Sequence, residues 1–364
     1  MREIGIRLTA MSPVLLAEAP PAQNLTETLE FIPGNTIRGV LAQRYLACGG
    51  KPGEDTFKRL FLNGRTRYGF ARIDASETIP LSARSCKYEP GFLADGGHGV
   101  TDILLWRGET SCPWGGCGQP LDYLEGYYNP DAYSRKSVAT RLITRTAIDP
   151  VQGTAAHGSL YSQRVIEEGQ TFIASIEPEA GLEGVLQNLI ATPFMAGIGG
   201  GRSRGQGWVR VNPASPPVFS SSPTAQMRFE KCSCLWGEPI LAVTFLSDAM
   251  FRDRFLRDVT APSIHHLSGL DLVPTDWEEG HFRAFAATRV VFGFDGEPLR
   301  LPRIPRLAVC AGSTFLFKPR AGVTPHIPNS GGIAWVGDNS REGYGRAVLW
   351  HPFHFTCGKE GETR

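Results

Sequence analysis

Ile4, Ile6, Leu8 and Ala10 alternate with Gly5, Arg7 and Thr9, the two-residue period of a half-buried strand. After the Pro20-Pro21 turn, Pro33-Gly34 interrupts the chain, and Asn35 or Thr36 is placed to cap a helix whose apolar face is Ile37, Val40, Leu41 and Tyr45. Two β-rich runs, one through Arg141–Ile148 and one through Val165 to Ile176, flank a Pro/Gly/Ala/His stretch and predict a long hairpin over 141–176. Leu182, Val185, Leu186, Leu189 and Ile190 recur on one helical face ending before Pro193, and Trp208, Val209 and Val211 read as a strand. In the second half, Ile240–Leu246 reads as a buried strand. Ala249, Phe251, Phe255, Leu256 and Val259 predict a helix, while Thr314–Phe317 and Ala347–Trp350 are further strands. A Pro/Ser-rich linker, 212–226, divides the chain into residues 1–211 and 227–364.

Between the helix at 182–190 and the strand at 208 lies a stretch with six glycines, three arginines and no acid, Gly197 to Val211. Glycine serves where φ turns positive or another backbone comes close, and a run of it leaves N–H groups to face an anion. Arginines beside it add planar donor forks suited to phosphate. The order helix, loop, strand and the missing Gly-Lys-Ser/Thr ending exclude a P-loop. A shorter loop, Gly337 to Arg346, precedes the last strand.

These two loops, with Ile32-Pro33-Gly34-Asn35-Thr36-Ile37-Arg38-Gly39 and Arg145-Thr146-Ala147-Ile148-Asp149, resemble the repeat-associated mysterious protein (RAMP) superfamily of CRISPR effector complexes. The resemblance covers most of residues 1–211 and the last part of the second half. It implies an α+β fold of two ferredoxin-like (RRM-like) domains with glycine-rich loops, the second degenerate, and a β-hairpin thumb. Gly199, Gly200, Gly201, Arg202, Ser203, Arg204 and Gly205 would then meet guide RNA, with Arg341 and Arg346 in the weaker second loop, where Glu342 opposes phosphate. Arg141, Arg145 and Tyr161 would act from the thumb, whose tip replaces lost base stacking while arginines hold phosphates. Arg38, in a helix's first turn, gains nothing from the dipole and either meets a phosphate or pairs with Glu30.

At 364 residues and 41 % apolar content the chain can bury two ordinary cores. Its net charge of +1 excludes a bulk polyelectrolyte and leaves local basic faces. No apolar run is long enough to span a bilayer and Met1-Arg2-Glu3-Ile4 enters a strand pattern at once, so the expectation is a cytoplasmic protein.

Residues 84–130 break the helix and strand rhythm and are assigned to the N-terminal domain as an insertion. Cys86, His98, Cys112 and Cys117 fall here among many glycines, with Cys112–Cys117 a C-x4-C knuckle. In a reducing compartment this points to a tetrahedral Zn2+ held by three Cys and His98, structural because no position stays open for water. The alternative is ordinary buried thiols beside a surface histidine.

His157 is the one candidate general base, four residues before Tyr161. Another nuclease type of the superfamily uses an aspartate in a loop near the N-terminal strand, and Glu18–Asn24 contains none. Two halves, a thumb and a zinc insertion resemble the large subunit of type III-D complexes that caps the 5′ tag of the guide. The resemblance therefore implies a non-catalytic subunit whose partners are guide RNA (crRNA), other type III effector subunits and, further, target nucleic acid. The alternative is a metal-independent endoribonuclease that processes precursor guide RNA.

Overall fold

The computed structural model describes residues 3–20, 24–105, 111–148, 151, 154–217, 224–293, 301–328 and 332–357. The chain forms two compact units. One comprises Met1–Asp74, Val138–Pro217 and Val291–Pro305; the other comprises Ala75–Ser137, Val218–Val290 and Arg306–Arg364.

The first unit is built on β1 (Ile4–Ala10), α1 (Gly34–Ala47), β2 (Arg67–Tyr68), β3 (Thr140–Ile148), β4 (Ala155–Ile166), β5 (Thr171–Glu177), α2 (Glu183–Ile190), β6 (Phe194–Gly197) and β7 (Trp208–Ala214). Its main sheet runs β6-β7-β1-β5-β2, antiparallel throughout. Leaving aside the β3–β4 hairpin, the edge strand β6 and short pieces such as Leu25–Thr26, Asp55–Phe57 and Arg72–Ile73, the succession is β-α-β-β-α-β. The alternation read in β1 is the burial observed: Ile4, Ile6, Leu8 and Ala10 are covered and Arg7 is exposed. Ile37, Val40 and Leu41 of α1 and Leu186, Leu189 and Ile190 of α2 close the same core. The sequence pattern missed β6, four residues between Pro193 and the glycine loop that pair with β7. It also misplaced the cap of α1, which starts at Gly34 after Pro33 without a side-chain cap. Pro33 serves because its missing N–H costs nothing at a helix start.

Of the hairpin predicted over 141–176, the first arm is β3, but its partner is β4, paired from Thr140↔Ile166 to Ile148↔Ala155; the run Thr171–Ile176 taken for the second arm is β5 of the main sheet, and Asp149, Pro150 and Gly153 lie outside the described residues.

The second unit repeats the sheet pattern. β8 (Leu241–Phe245), β9 (Arg283–Phe285), β10 (Thr314–Phe317), β11 (Ile333–Trp335) and β12 (Arg346–Leu349) stand in the order β11-β12-β8-β10-β9, also antiparallel. In both sheets the central strand, β1 or β8, is flanked by the strand that closes the glycine loop and by a strand from mid-sequence. Even the side chains correspond, since Thr9 and Thr171 Oγ1 atoms meet at 3.4 Å and those of Thr244 and Thr314 at 3.1 Å.

Two expectations fail here. Ala249–Val259 is no helix: Phe251–Arg252 pairs with Asp258–Val259, and Asp253 closes the turn by accepting from the Phe255 and Arg257 amides. An Asx-type turn outcompetes the helical reading of the apolar positions. Segment 75–137, assigned to the N-terminal domain, belongs to the second unit. There Ile79, Ala83, Phe92, Val100, Leu124 and Tyr128 form a satellite core with Phe353 and Cys357. Asp102 accepts from buried Ser82 at 3.0 Å and bonds His354 Nδ1 at 2.7 Å, and His354 Nε2 meets Thr244 at 2.8 Å. These buried polar groups satisfy one another, so the segment is tied to the C-terminal helix and to β8.

Candidate nucleic-acid interface

The glycine loop leaves β6, turns through a short 3-10 helix, Arg202–Arg204, and enters β7. Its glycines do two jobs. Gly199, Gly201, Gly205 and Gly207 all have positive φ, and a Cβ on Gly199 or Gly207 would lie 2.1 Å from the carbonyl oxygen of Leu15 or Ile198. Positive φ and close backbone approach are the two circumstances only glycine meets without strain. Much of the loop's hydrogen bonding is internal to the unit: Gly200 donates to Leu15, Ile198 to Gly207, Gly207 to Pro13, and Arg204 and Gln206 to Gly201. Among the described residues the amides of Gly201, Arg202 and Ser203 donate to no backbone carbonyl, so the loop offers an anion fewer N–H groups than its composition promised. The Gln206 side chain is 2 % exposed beneath Gly201, its amide without a hydrogen-bond partner among the described residues.

Arg202, Ser203 and Arg204 are exposed. The Arg204 guanidinium donates to the Tyr161 hydroxyl at 2.7 Å, and Tyr161 stands opposite Arg145 in the hairpin register. Residues from the loop and from both hairpin strands thereby meet in one patch. No sequence signal linked Arg204 to Tyr161, 43 positions apart. Leu160, beside Tyr161, is exposed. Arg141, at the base of the hairpin, is ion-paired with Glu168 at 2.9 Å, a contact an incoming phosphate would compete with. Arg38 is half-buried in the first turns of α1. His157 lies within β4; its side chain is outside the described residues.

The second loop follows the first residue for residue at a spacing of 138. Asn339 and Gly343 bound its 3-10 helix in the left-handed region, as Gly201 and Gly205 do. Val336 donates to Gly345 at 2.8 Å and Gly345 to Asp248 at 2.7 Å, matching Ile198 to Gly207 and Gly207 to Pro13, both at 2.8 Å. Its charges are spent internally: Asp338 binds Arg252 at 2.5 Å and Arg306 at 3.1 Å. Burial works to raise the Asp338 carboxyl, but hydrogen bonds from these two guanidiniums outweigh it and hold the group below the usual carboxylate range. Arg346 lies over the Trp335 ring at 5.6 Å, and Glu342 is buried.

The ligand atoms of Cys86, His98, Cys112 and Cys117 all lie within 4.8 Å of one another. Cys86 and Cys117 sulfurs are 4.0 Å apart and Cys112 Sγ is 3.7 Å from His98 Nδ1. A tetrahedral ion with bonds of about 2.3 Å to sulfur sets such atoms roughly 3.8 Å apart, so the group can hold a metal. The turn at the knuckle needs Gly115, Gly116 and Gly118, all at positive φ. Trp114 stacks on the His98 ring at 5.9 Å, and Tyr123 lies over Arg84 at 3.8 Å. Burial opposes ionisation of Cys86, but bonds from the Glu89 and Tyr88 amides, His98 and Cys112 hold its thiol down at about 7; at Cys112 burial prevails and pushes it to about 11.

Among the described residues no helix is long and apolar enough to cross a membrane.

Comparison with known proteins adds the following. A family model described as RAMPs: RAMP superfamily matches residues 7–210. No curated protein sequence matches the chain. Among solved structures, a chain of the type III-B Cmr-beta complex bound to cognate target RNA and AMPPnP is 13 % identical, with 86 % of each chain covered and a TM-score of 0.47. Cmr4 (Cas7) from Pyrococcus furiosus is 12 % identical, covering 59 % of this chain and 100 % of its own, with a TM-score of 0.28.

Proposed function

The chain belongs to the RAMP superfamily, and on that premise we propose that it is a non-catalytic, cytoplasmic subunit of a type III CRISPR effector that binds the 5′ tag of guide RNA and nucleates assembly. The observation that carries this reading is the patch where Arg204 of the glycine loop meets Tyr161 of the hairpin, opposite Arg145. Guanidiniums that hold phosphates and a ring that stacks on a base are what a sequence-tolerant grip on single-stranded RNA needs. The second unit, with the same sheet order and its loop acids engaged, is a degenerate ferredoxin-like domain that serves assembly with other type III subunits. Structural Zn2+ on Cys86, His98, Cys112 and Cys117 staples segment 84–130; three sulfurs and an imidazole are the donor set zinc favours, and four protein ligands leave no place for catalytic water.

Incubating purified protein with labelled CRISPR-repeat RNA tests the proposal. Binding without cleavage is the expected outcome. Cleavage that disappears in His157→Ala would replace it with the processing-nuclease reading, and neither binding nor cleavage would leave a protein scaffold.

A further inference from the structure

The two arginines of the first glycine loop serve different surfaces. Arg204 is bonded to Tyr161. Arg202 instead lines a pocket of about 480 Å³ between α1 and β6, the edge strand of the first sheet. The volume falls in the range of small-ligand pockets, about 300–1,000 Å³.

Gln43 and Arg44 contribute from α1, Phe194 and Met195 from β6, and Trp208 from the start of β7. Trp208 is 44 % and Met195 48 % exposed, large apolar surfaces left open beside two guanidiniums. The Arg44 guanidinium lies 4.8 Å over the Phe194 ring and donates to Thr192 at 3.2 Å; its buried Nε has no hydrogen-bond partner among the described residues. Gly197 packs beside this arginine, where an added Cβ would lie 3.0 Å from Arg202 Cδ. No acidic residue lines the pocket.

An apolar occupant alone would bring the two cations into a drier setting without compensation, which costs free energy. A nucleotide brings a flat ring for the indole and its own anion for the guanidinium. We infer that this pocket takes one unstacked base of single-stranded RNA, with Trp208 as stacking surface and Arg202 on the adjoining phosphate. The inference rests on the RNA-binding reading above and adds to it a second, separate point of grip.

The test uses full-length protein and CRISPR-repeat RNA in which each nucleotide in turn is replaced by an abasic one. One abasic position outside the stretch sensitive to Tyr161→Ala is expected to weaken binding by about five- to hundredfold. Trp208→Ala should cause the same loss and cancel the penalty of that abasic position, Trp208→Phe should restore both, and Arg204→Gln should leave that penalty in place. Iodouridine at the same position should crosslink to Trp208 under light. If wild-type protein binds the RNA but Trp208→Ala binds as tightly, with no abasic position tied to Trp208, the pocket is no base site and the RNA reading stands. If wild-type protein binds no RNA, both fall. Retention of a peptide from another effector subunit by Trp208 in place of RNA would also overturn the inference.

Discussion

Residues 199–207 and 337–345 trace the same backbone path, yet where the first has Gly200, Arg202 and Arg204 the second has Asp338, Ser340 and Glu342. Both loops hang from the segment that follows the central strand of their sheet: Gly200 donates to Leu15 and Asp338 to Met250, at 2.9 and 2.8 Å. Position 200 of the first loop is bare backbone, whereas its counterpart carries a carboxylate that draws in Arg252 and Arg306. The comparison teaches that the glycines encode the turn and the residues between them encode its use. One scaffold, used twice, carries exposed guanidiniums between its glycines in one unit and an ion-paired carboxylate in the other.

Four measurements break or sharpen this contrast. The largest effect is expected from the metal cluster, which belongs to the second unit alone among the described residues. Cys117→Ser or chelation should release about one zinc per chain and cost several kcal/mol of stability, read as loss of protease resistance in 75–137. Less than half an equivalent of zinc in pure protein would end that idea. Next, Gly207→Ala and Gly345→Ala should each cost about 2–4 kcal/mol, seen by thermal melting. Both have positive φ, and the new Cβ would meet a carbonyl oxygen at 2.1 and 1.8 Å. A large cost at one and none at the other would deny that the loops are equivalent.

Charge comes third. Replacing Arg202 and Arg204 by Ala should lower the slope of log affinity against log salt by about 1–1.5, since each phosphate contact on a single strand contributes about 0.7. Arg341→Ala should change it by less than one contact, and equal slopes for the two variants would refute the division of roles. The smallest effect is in acid. Asp338 is held below its ordinary value, so it adds stability above the unfolded carboxylate value of about 4 and loses it as pH falls through the lower folded value. Asp338→Asn should flatten the acid limb of the melting profile below pH ~4; an unchanged limb would show that the Arg252 and Arg306 pairs do not stabilise the loop.

Much of this was legible in the chain itself. Period-2 alternation gave β1, helical spacing gave α2, and the cysteine and glycine clustering from 86 to 118 singled out the four ligand candidates the fold brings within 4.8 Å. These signals are local: a strand face, a helix face and a tight knuckle are each specified by neighbours in sequence. The Phe251–Val259 hairpin was misread because its apolar spacing fits a helix, and only the Asp253 side chain, bonding the Phe255 and Arg257 amides, decides otherwise.

What the sequence by itself determined is therefore β1, α1, α2 and the strands β8, β10 and β12, the two glycine turns and the identity of the metal candidates, all fixed by backbone sterics and burial periodicity. Tertiary structure alone decided that segment 75–137 packs with the second unit, because buried Asp102 meets His354, 252 residues away, and His354 in turn meets Thr244 of β8. It also decided that Arg204 faces Tyr161 while Arg202 faces the pocket beside Trp208, and that the second loop's charges are answered by Arg252 and Arg306. Such pairings depend on which strands lie side by side, and that is set by the whole sheet closing over its core rather than by any stretch of residues within it.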